Sequence, residues 1–333
     1  MANLILNDTE IAQLVNEVDM YELAEKTINK IDLTDDESTA VSLLDKRFKE
    51  IGKSGCDPDH EVAAFISRVV NEEMYDAPNE LLDRIFDRDT IGEFDDYDAY
   101  TTPKNTLVAY EAAKGGNVLR SYLDIAPLRP QWKNFQIEAG LTYADLRKNG
   151  WKSVALLTDC AVRAFDNKVF AAVFGAIDNA IPSGAANYIA ETNAMPTQAT
   201  MDAVALYLND RDGGVITALS KYIQAASKLN TGYISNDMKN EVHRTGFLSM
   251  YDGNPMMGVS GAHKLGNGDL LIADKRIFGI AGKVGTLTTK GEINIYQDMN
   301  NNREEIHLLF KDYTVGWAFN NTALDNIVKV ELA

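Results

Sequence analysis

The sequence has few of the residues from which metal, redox and membrane sites are built. It contains 2 cysteines and 4 histidines in 333 residues. Cys56 and Cys160 lie far apart and form no metal or redox spacing, so two buried thiols in a reducing compartment are expected. The longest strongly apolar run, residues 169–177, is well short of the roughly 20 residues that a bilayer helix needs. The start of the chain lacks a basic region, so no secretory signal is predicted.

Motifs for catalysis and cofactor binding are incomplete wherever they begin to form. The sequence Gly52-Lys53-Ser54 matches the last three positions of a phosphate-binding loop, but Arg47 occupies the position of that motif's first glycine. We therefore predict a helix that ends at Gly52 instead. The histidines show no paired-ligand spacing, and the carboxylates are too scattered to nominate an acid/base pair. We therefore predict that the protein has no catalytic residue, binds no cofactor and is not an enzyme.

Residues 87–98 approach the pattern of a calcium-binding loop. Four of its acidic residues could offer oxygen ligands: Asp87, Asp89, Glu93 and Asp98. However, Ile91 occupies the fifth position, where an oxygen ligand is needed, and Asp98 replaces the bidentate glutamate. A solvated acidic linker is the favoured interpretation, no metal site is predicted, and a calcium-dependent or hydrolytic enzyme is kept as a distant alternative.

The charge is concentrated in the first third of the chain. Of the 32 basic and 49 acidic residues, 9 and 26 lie in residues 1–100, which gives this front section a net charge of −17. The remaining 23 of each sign cancel. A boundary near residue 100 is therefore predicted, between an acidic front section and a neutral, β-rich body. The front section should repel phosphate and stay off nucleic acid.

The front section is predicted to be mainly helical. Apolar residues at helical spacing indicate helices over residues 9–29, 37–51, 59–75 and 79–86. Asp8 or Thr9 is the expected cap of the first. Because the apolar stripes of these helices need a partner surface, we expect the section to be an arm or small lobe that docks on other subunits.

The body begins with extended chain and continues with one long helix. Two extended runs surround Gly115 and Gly116, which suit a hairpin tip because both tolerate positive φ. A capping box of Thr142 and Asp145 then precedes a helix over 151–181, roughly 46 Å long at the α-helical rise. Such a helix favours an extended, plate-like subunit.

The last third reads as helices followed by glycine-punctuated strands. Helices are predicted after Thr197 and over 215–229 and 235–244. Short strands follow at "FLSMY", "NPMMGV", "DLLIA" and "RIFGIA", and alternating strands close the chain around Ile293, Val315 and Val328. This region is almost devoid of reactive groups, which suits a protein whose function is its shape.

Taken together, this order of parts resembles a tailed-bacteriophage major capsid protein of the Hong Kong 97 type. The resemblance implies an α+β, Hong Kong 97-like fold made of a peripheral (P) domain with a long spine helix, an axial (A) domain and an E-loop hairpin. The matching ranges are 104–140 for the E-loop, 141–196 for the spine helix and first part of the P domain, 197–283 for the A domain and 284–333 for the C-terminal P-domain strands. Residues 1–103 form the acidic helical extension.

The resemblance also implies function and partners. It implies a capsid protein that self-assembles from pentamers and hexamers into an icosahedral shell around double-stranded DNA, made in the host cytoplasm and located in the virion. Portal, scaffolding and decoration proteins are implied partners, DNA contact should be weak and non-specific, and no membrane is involved. An encapsulin-like compartment shell is the alternative in the same fold.

The E-loop tip, formed by Lys114, Gly115 and Gly116, is the implied inter-subunit site. Some members of the family join a lysine there to an asparagine of an adjacent subunit, for which Asn320 and Asn321 are the nearest candidates. That bond also needs a buried carboxylate, and Glu138 and Asp145 lie in the same region. Most members do not cross-link, so a solvated Lys114 is expected.

Overall fold

The structure is a computed structural model. It describes residues 18–57, 60–76, 80–97, 129–229, 249–300, 304–320 and 324–333. The chain divides into two compact units, each assembled from separate stretches of sequence. The first draws on residues 1–78, 133–168 and 289–315, and the second on 79–132, 169–288 and 316–333. The five consecutive ranges named above stay a prediction about domains.

Helices occur in both units. Among the described residues they are, in chain order, α1 Met20–Asn29, α2 Asp35–Ser54, α3 Glu61–Asp76, α4 Glu80–Ile85, α5 Tyr143–Asn149, α6 Trp151–Ala180, α7 Gln198–Asn209 and α8 Ser220–Ala226. The predicted helices over 37–51, 59–75, 79–86 and 151–181 and the one after Thr197 are confirmed, with ends shifted by a few residues.

Two helix boundaries in the front section differ from expectation. Asp19 is extended and its carboxylate accepts hydrogen bonds from the first turn of α1, so an unbroken helix over 9–29 is wrong. Its proposed caps, Asp8 and Thr9, lie outside the described residues. Helix α2 begins with a full capping box of Thr34 and Glu37 and runs past Gly52 to end at left-handed Gly55.

The apolar stripes of the front helices are buried within the chain itself. Phe48 of α2, Phe65 of α3 and Trp151 of α6 form one aromatic cluster, with ring centroids 5.4–6.3 Å apart. The Trp151 indole N–H donates to the Thr27 hydroxyl at 3.1 Å. Our reason for expecting this section to dock on other subunits is therefore wrong, because its apolar faces already have a partner surface.

The long helix α6 follows a short helix at a glycine hinge. The Thr142 hydroxyl accepts from the Asp145 N–H and donates to its carboxylate, so the predicted capping box forms only in part. Gly150 separates the helices at φ +50, where a side chain would be strained and would also meet Asp45. Along α6, Phe165 packs on Tyr313 in the first unit, and Phe174 packs on Phe278 in the second.

Strands form two sheets. Those described are, in chain order, β1 Phe86–Ile91, β2 Gln131–Thr142, β3 Tyr188–Ala190, β4 Val215–Leu219, β5 Met250–Tyr251, β6 Asn254–Val259, β7 Arg276–Ile280, β8 Gly285–Lys290, β9 Asn294–Asn300, β10 Glu305–Phe319 and β11 Ile327–Glu331. A five-stranded sheet has the order β1-β8-β10-β2, with β9 also paired to β10. A six-stranded sheet has the order β3-β11-β7-β4-β6-β5.

The six-stranded sheet is mixed. The final strand β11 runs parallel to β3 and antiparallel to β7, and β4 runs antiparallel to β7 and parallel to β6. Helix α7 turns Met201, Val204, Ala205 and Leu208 inward, as its spacing predicts. Gly279 of β7 lies beneath this helix, since a Cβ there would come within 2.9 Å of Val204. A glycine in this strand therefore allows close packing of helix on sheet.

Three predictions in this region are corrected or untested. The helix over 215–229 is wrong, because residues of β4 are buried throughout and only Ser220–Ala226 is helical. Its β-branched start favours a central strand, where both faces are covered. "DLLIA" makes one isolated bridge, Lys264 to Leu270, and is not a strand. The predicted helix over 235–244 lies outside the described residues.

Candidate functional site

The acidic residues of the calcium-like pattern lie on a strand and the turn after it. Asp87 and Asp89 belong to β1, so the expectation of a linker is wrong for residues 87–91. Asp87 is paired with Lys283 at 2.5 Å, Glu93 is exposed, and Asp98 lies outside the described residues. Within the described part of the chain, no three His, Cys, Asp or Glu side chains are grouped to hold a metal ion.

The phosphate-loop fragment lies inside α2 and has a packing role. A Cβ on Gly52 would come within 2.5 Å of the Arg147 backbone nitrogen and 2.9 Å of the Leu146 carbonyl carbon. The Arg147 guanidinium Nε–H donates to the Gly52 carbonyl at 3.4 Å. Gly52 therefore lets helices α2 and α5 approach closely.

The predicted E-loop tip, Lys114, Gly115 and Gly116, lies outside the described residues. The chain on either side of this segment is held together by two aromatic rings. Tyr97 and Trp132 pack edge to face, with centroids 6.3 Å apart and ring planes at 83°. The Trp132 ring also covers Gly316, where a Cβ would come within 2.6 Å of it. The chain therefore leaves and re-enters the described structure at one place.

The residues considered for a covalent cross-link do not form a buried site among those described. The Asn320 backbone N–H donates to the Val284 carbonyl at 3.0 Å, and Asn321 lies outside the described residues. The Glu138 side chain is 72% exposed, and Asp145 is exposed and bonded to Thr142. Neither carboxylate is the buried one that the reaction requires.

Sequence reasoning missed a buried lysine that joins the end of α6 to the six-stranded sheet. The Lys329 ammonium, on β11, donates to the carbonyls of Asp178 and Ile181 at 2.8 and 3.2 Å and pairs with the Asp178 carboxylate at 2.7 Å. Its side chain is only 8% exposed. A cation at a helix C-terminus satisfies the last carbonyls and the helix dipole, so Lys329 caps α6 from outside the helix.

The same network continues along the sheet. Arg276 of β7 pairs with Asp178 at 3.1 Å and with Glu331 at 2.9 Å. The Tyr188 hydroxyl donates to Glu331 at 2.6 Å, which lowers the pKa of the Glu331 carboxyl and raises that of Tyr188. A signal was present in the sequence, since Lys329 stands between the apolar residues Val328 and Val330 of β11.

A second missed network lies in the front section. Asp57 is buried, accepts the N–H groups of Glu61 and Val62 at the start of α3, and accepts from the Gln297 amide at 3.0 Å. The Arg47 guanidinium binds the buried Glu61 carboxylate through both of its oxygens, at 2.6 and 2.8 Å. These charges are paired and hydrogen-bonded, as buried charges must be.

The last two features are the exposure of the cysteines and the apolar character of the helices. Cys56 and Cys160 are both exposed, so the expectation of buried thiols is wrong. Among the described helices, none combines the length and apolar character that a membrane crossing requires.

Comparison with known proteins identifies the fold. The sequence matches no protein-family model and no curated protein sequence. The structure is similar to that of Gordonia phage Cozz, with a TM-score of 0.52 and 12% identity over 74% of this chain and 84% of that one. It is similar to the capsid of cyanophage P-SCSP1u, with a TM-score of 0.51 and 12% identity over 76% and 88%.

A third similar structure is the capsid of an empty GTA particle, with a TM-score of 0.52 and 13% identity over 76% of this chain and 89% of that one. The chain therefore has the capsid fold of tailed phages, and the predicted α+β, Hong Kong 97-like fold is confirmed. At sequence identities of 12–13%, this structural similarity establishes the fold alone.

Proposed function

We propose that this chain is the major capsid protein of a tailed bacteriophage and assembles into an icosahedral shell around double-stranded DNA. The observation that carries the proposal is the capsid fold, matched over about three quarters of this chain and more than four fifths of the similar capsid subunits. A match of that extent is larger than one common motif.

The internal contacts of the chain support a load-bearing subunit. Lys329 and Arg276 tie the end of the 30-residue helix α6 to the six-stranded sheet. The aromatic cluster around Trp151 fixes the beginning of the same helix against the front section. A helix held at both ends keeps its shape when neighbouring subunits pull on it, which is what a shell wall needs.

The other partners follow from the same proposal. Subunits would form pentamers and hexamers, a portal would occupy one vertex, and scaffolding or decoration proteins would join transiently or from outside. Contact with DNA would be weak, because the front section carries all of the net charge of −17. The protein would be made in the host cytoplasm and end in the virion.

An encapsulin-like shell is not favoured, because the similar structures reported above are phage and GTA particles. An enzymatic role is the more distant alternative, and the similar structures are those of capsids.

Electron microscopy of the purified protein tests the proposal. We expect closed shells of uniform size by negative stain, and shells from the native source should contain double-stranded DNA that survives nuclease treatment until the shell is opened. Shells filled with a protein cargo would support the encapsulin alternative. A monodisperse monomer at high protein concentration would contradict both.

A further inference from the structure

Basic residues are grouped where the acidic front section packs on the beginning of the long helix. Helix α2 lies against α5 and the start of α6: the Asp45 carboxylate accepts the Trp151 backbone N–H at 3.3 Å, and Gly52 contacts the α5 backbone. Besides Arg47, which binds Glu61, these facing elements carry six cations, and we refer to them as the basic face: Lys46, Lys49, Lys53, Arg147, Lys148 and Lys152.

The basic face has few internal counterions. Nearby acids are Asp45, which pairs with Lys49 at 2.6 Å, Glu50, which lies 3.7 Å from Arg47, and Asp145, which is bonded to Thr142. Within the described part of the chain, no hydrogen bond or ion pair is made by the side chains of Lys46, Lys53, Lys148 and Lys152. Grouped cations of this kind create a local positive potential, which attracts an anionic surface.

The same chain carries a segment of opposite charge. The end of β1 and the turn after it, residues 89–96, present exposed carboxylates and one exposed ring, and we refer to this segment as the acidic turn: Asp89, Glu93, Phe94, Asp95 and Asp96. The Phe94 side chain is 91% exposed, although a ring of this size is normally buried. Aromatic rings are enriched at the centres of protein interfaces, so an exposed ring among carboxylates suits a surface that meets both cations and an apolar group.

The basic face offers both the cations and an exposed apolar residue. Leu156 lies one turn after Lys152 on the same side of α6 and is 49% exposed. A nucleic acid backbone would satisfy the cations but would leave Phe94 and Leu156 in water. An acidic peptide with a central aromatic ring satisfies all of these groups at once.

We infer that the acidic turn of one subunit docks on the basic face of a second subunit, with Phe94 against the region of Leu156. The inference rests on the proposed function, since it names one of the contacts by which shells would form. It also restores to the front section a role between subunits, through its charged surface rather than through its apolar stripes.

A charge exchange tests this contact. The face variant carries Lys53→Glu, Lys148→Glu and Lys152→Glu, and the turn variant carries Asp89→Lys, Glu93→Lys and Asp96→Lys. Lys49 and Asp95 are left intact, because Lys49 pairs with Asp45 and the Asp95 carboxylate accepts the Gly92 N–H. A control variant, Lys168→Glu, Lys228→Glu and Lys264→Glu, has the charge change of the face variant at other exposed lysines.

Assembly is measured by sedimentation of nuclease-treated protein, and folding by thermal melting of the subunits. We expect each variant to form shells about tenfold less than the wild type, because like charges would face each other across the contact. The control should assemble normally. A combined variant that carries both sets of substitutions in one chain should restore shells, since each turn then meets a face of opposite charge.

The outcomes separate this inference from the proposed function. If the wild type forms shells and the face variant does so equally well, the contact is wrong while the proposed function stands. Failure of the combined variant to recover would show that the basic face meets something else, such as nucleic acid, and would also overturn the contact. Phe94→Ser provides a check without charge: melting should be unchanged and shell yield reduced, and an unchanged yield would count against the inference. A wild type that forms no shells would contradict both the proposed contact and the proposed function.

Discussion

The ring of Tyr97 packs edge-on against the ring of Trp132, with centroids 6.3 Å apart, and closes the base of the segment between them. Trp132 is fixed in turn by the Gly316 backbone beneath it. A subunit that lacks the tip of the segment therefore keeps this direct contact between the two described ends.

Deletion of residues 111–119 should leave a folded, soluble subunit that no longer forms closed shells. The rings of Tyr97 and Trp132 still join the two ends, so the melting temperature of the subunit should change little. Differential scanning calorimetry and sedimentation would measure the two properties. Normal shells from the deletion would refute the assignment of this segment as the E-loop hairpin, and the matched substitution Trp132→Ala should lower the melting temperature instead.

Two helical glycines should respond in opposite directions to substitution by alanine. Gly52→Ala forces a methyl group against the Arg147 and Leu146 backbone, and overpacking of this kind costs roughly 1–3 kcal/mol, which exceeds the gain in helix propensity. Gly175→Ala meets nothing within 4 Å, so it should stabilise the subunit by about 0.5–1 kcal/mol. Urea unfolding of unassembled subunits measures both. Equal effects at the two positions would contradict the packing role of Gly52.

Lys329→Met should be strongly destabilising. It leaves Asp178 without its nearest cation and leaves the last carbonyls of α6 without a donor, and removing one partner of a buried pair costs about 3–5 kcal/mol. The matched control is Lys221→Met, whose lysine pairs with Asp274 at 2.6 Å but is 51% exposed. Such surface pairs contribute about 0.2–1 kcal/mol. Similar losses of unfolding free energy in the two variants would mean that Lys329 does not cap the helix.

Glu191 should make stability depend on acid pH. Its carboxylate accepts hydrogen bonds from the hydroxyls of Thr197 and Thr200 and from Asn193, and these lower its pKa from 4.5 to about 2. Because the folded pKa is depressed, the stabilisation is present above pH 4.5 and is lost as the pH falls toward 2. Glu191→Gln should therefore lower the melting temperature at pH 7 and less so at pH 2.5. A difference between variant and wild type that stays constant over this range would contradict the assignment.

Denaturing electrophoresis of mature particles should give one band near 36.8 kDa. The carboxylates in the region considered for a cross-link, Glu138 and Asp145, are exposed and unsuited to deprotonate a lysine in an apolar site. Ladders of higher mass, or material that does not enter the gel, would show that the subunits are joined covalently.

The sequence predicted well those parts of the fold that depend on local periodicity. Helix α6 lies where its spacing predicts, and the inward residues of α7 repeat at helical spacing and are buried as expected. Capping by Thr142 and Thr197 was also predictable, because a threonine at a helix start has a local hydrogen-bonding role.

Features that depend on tertiary contacts were not predictable in this way. Residues 215–229 have a spacing compatible with a helix, yet Val215–Leu219 is a strand because β6 and β7 pair with its two edges. The buried contacts of Lys329 join residues about 150 positions apart in sequence, and no local pattern encodes such a pairing. The front section's apolar stripes were recognised, but the surface that covers them, around Trp151, lies far along the chain.

Negative-stain electron microscopy of the purified wild-type protein tests the central claim most directly. The capsid fold, matched over about three quarters of the chain, predicts closed shells of uniform diameter. Particles that stay monomeric and monodisperse at high concentration, with a normal thermal melt to show that they are folded, would contradict the proposal that this chain is a capsid subunit.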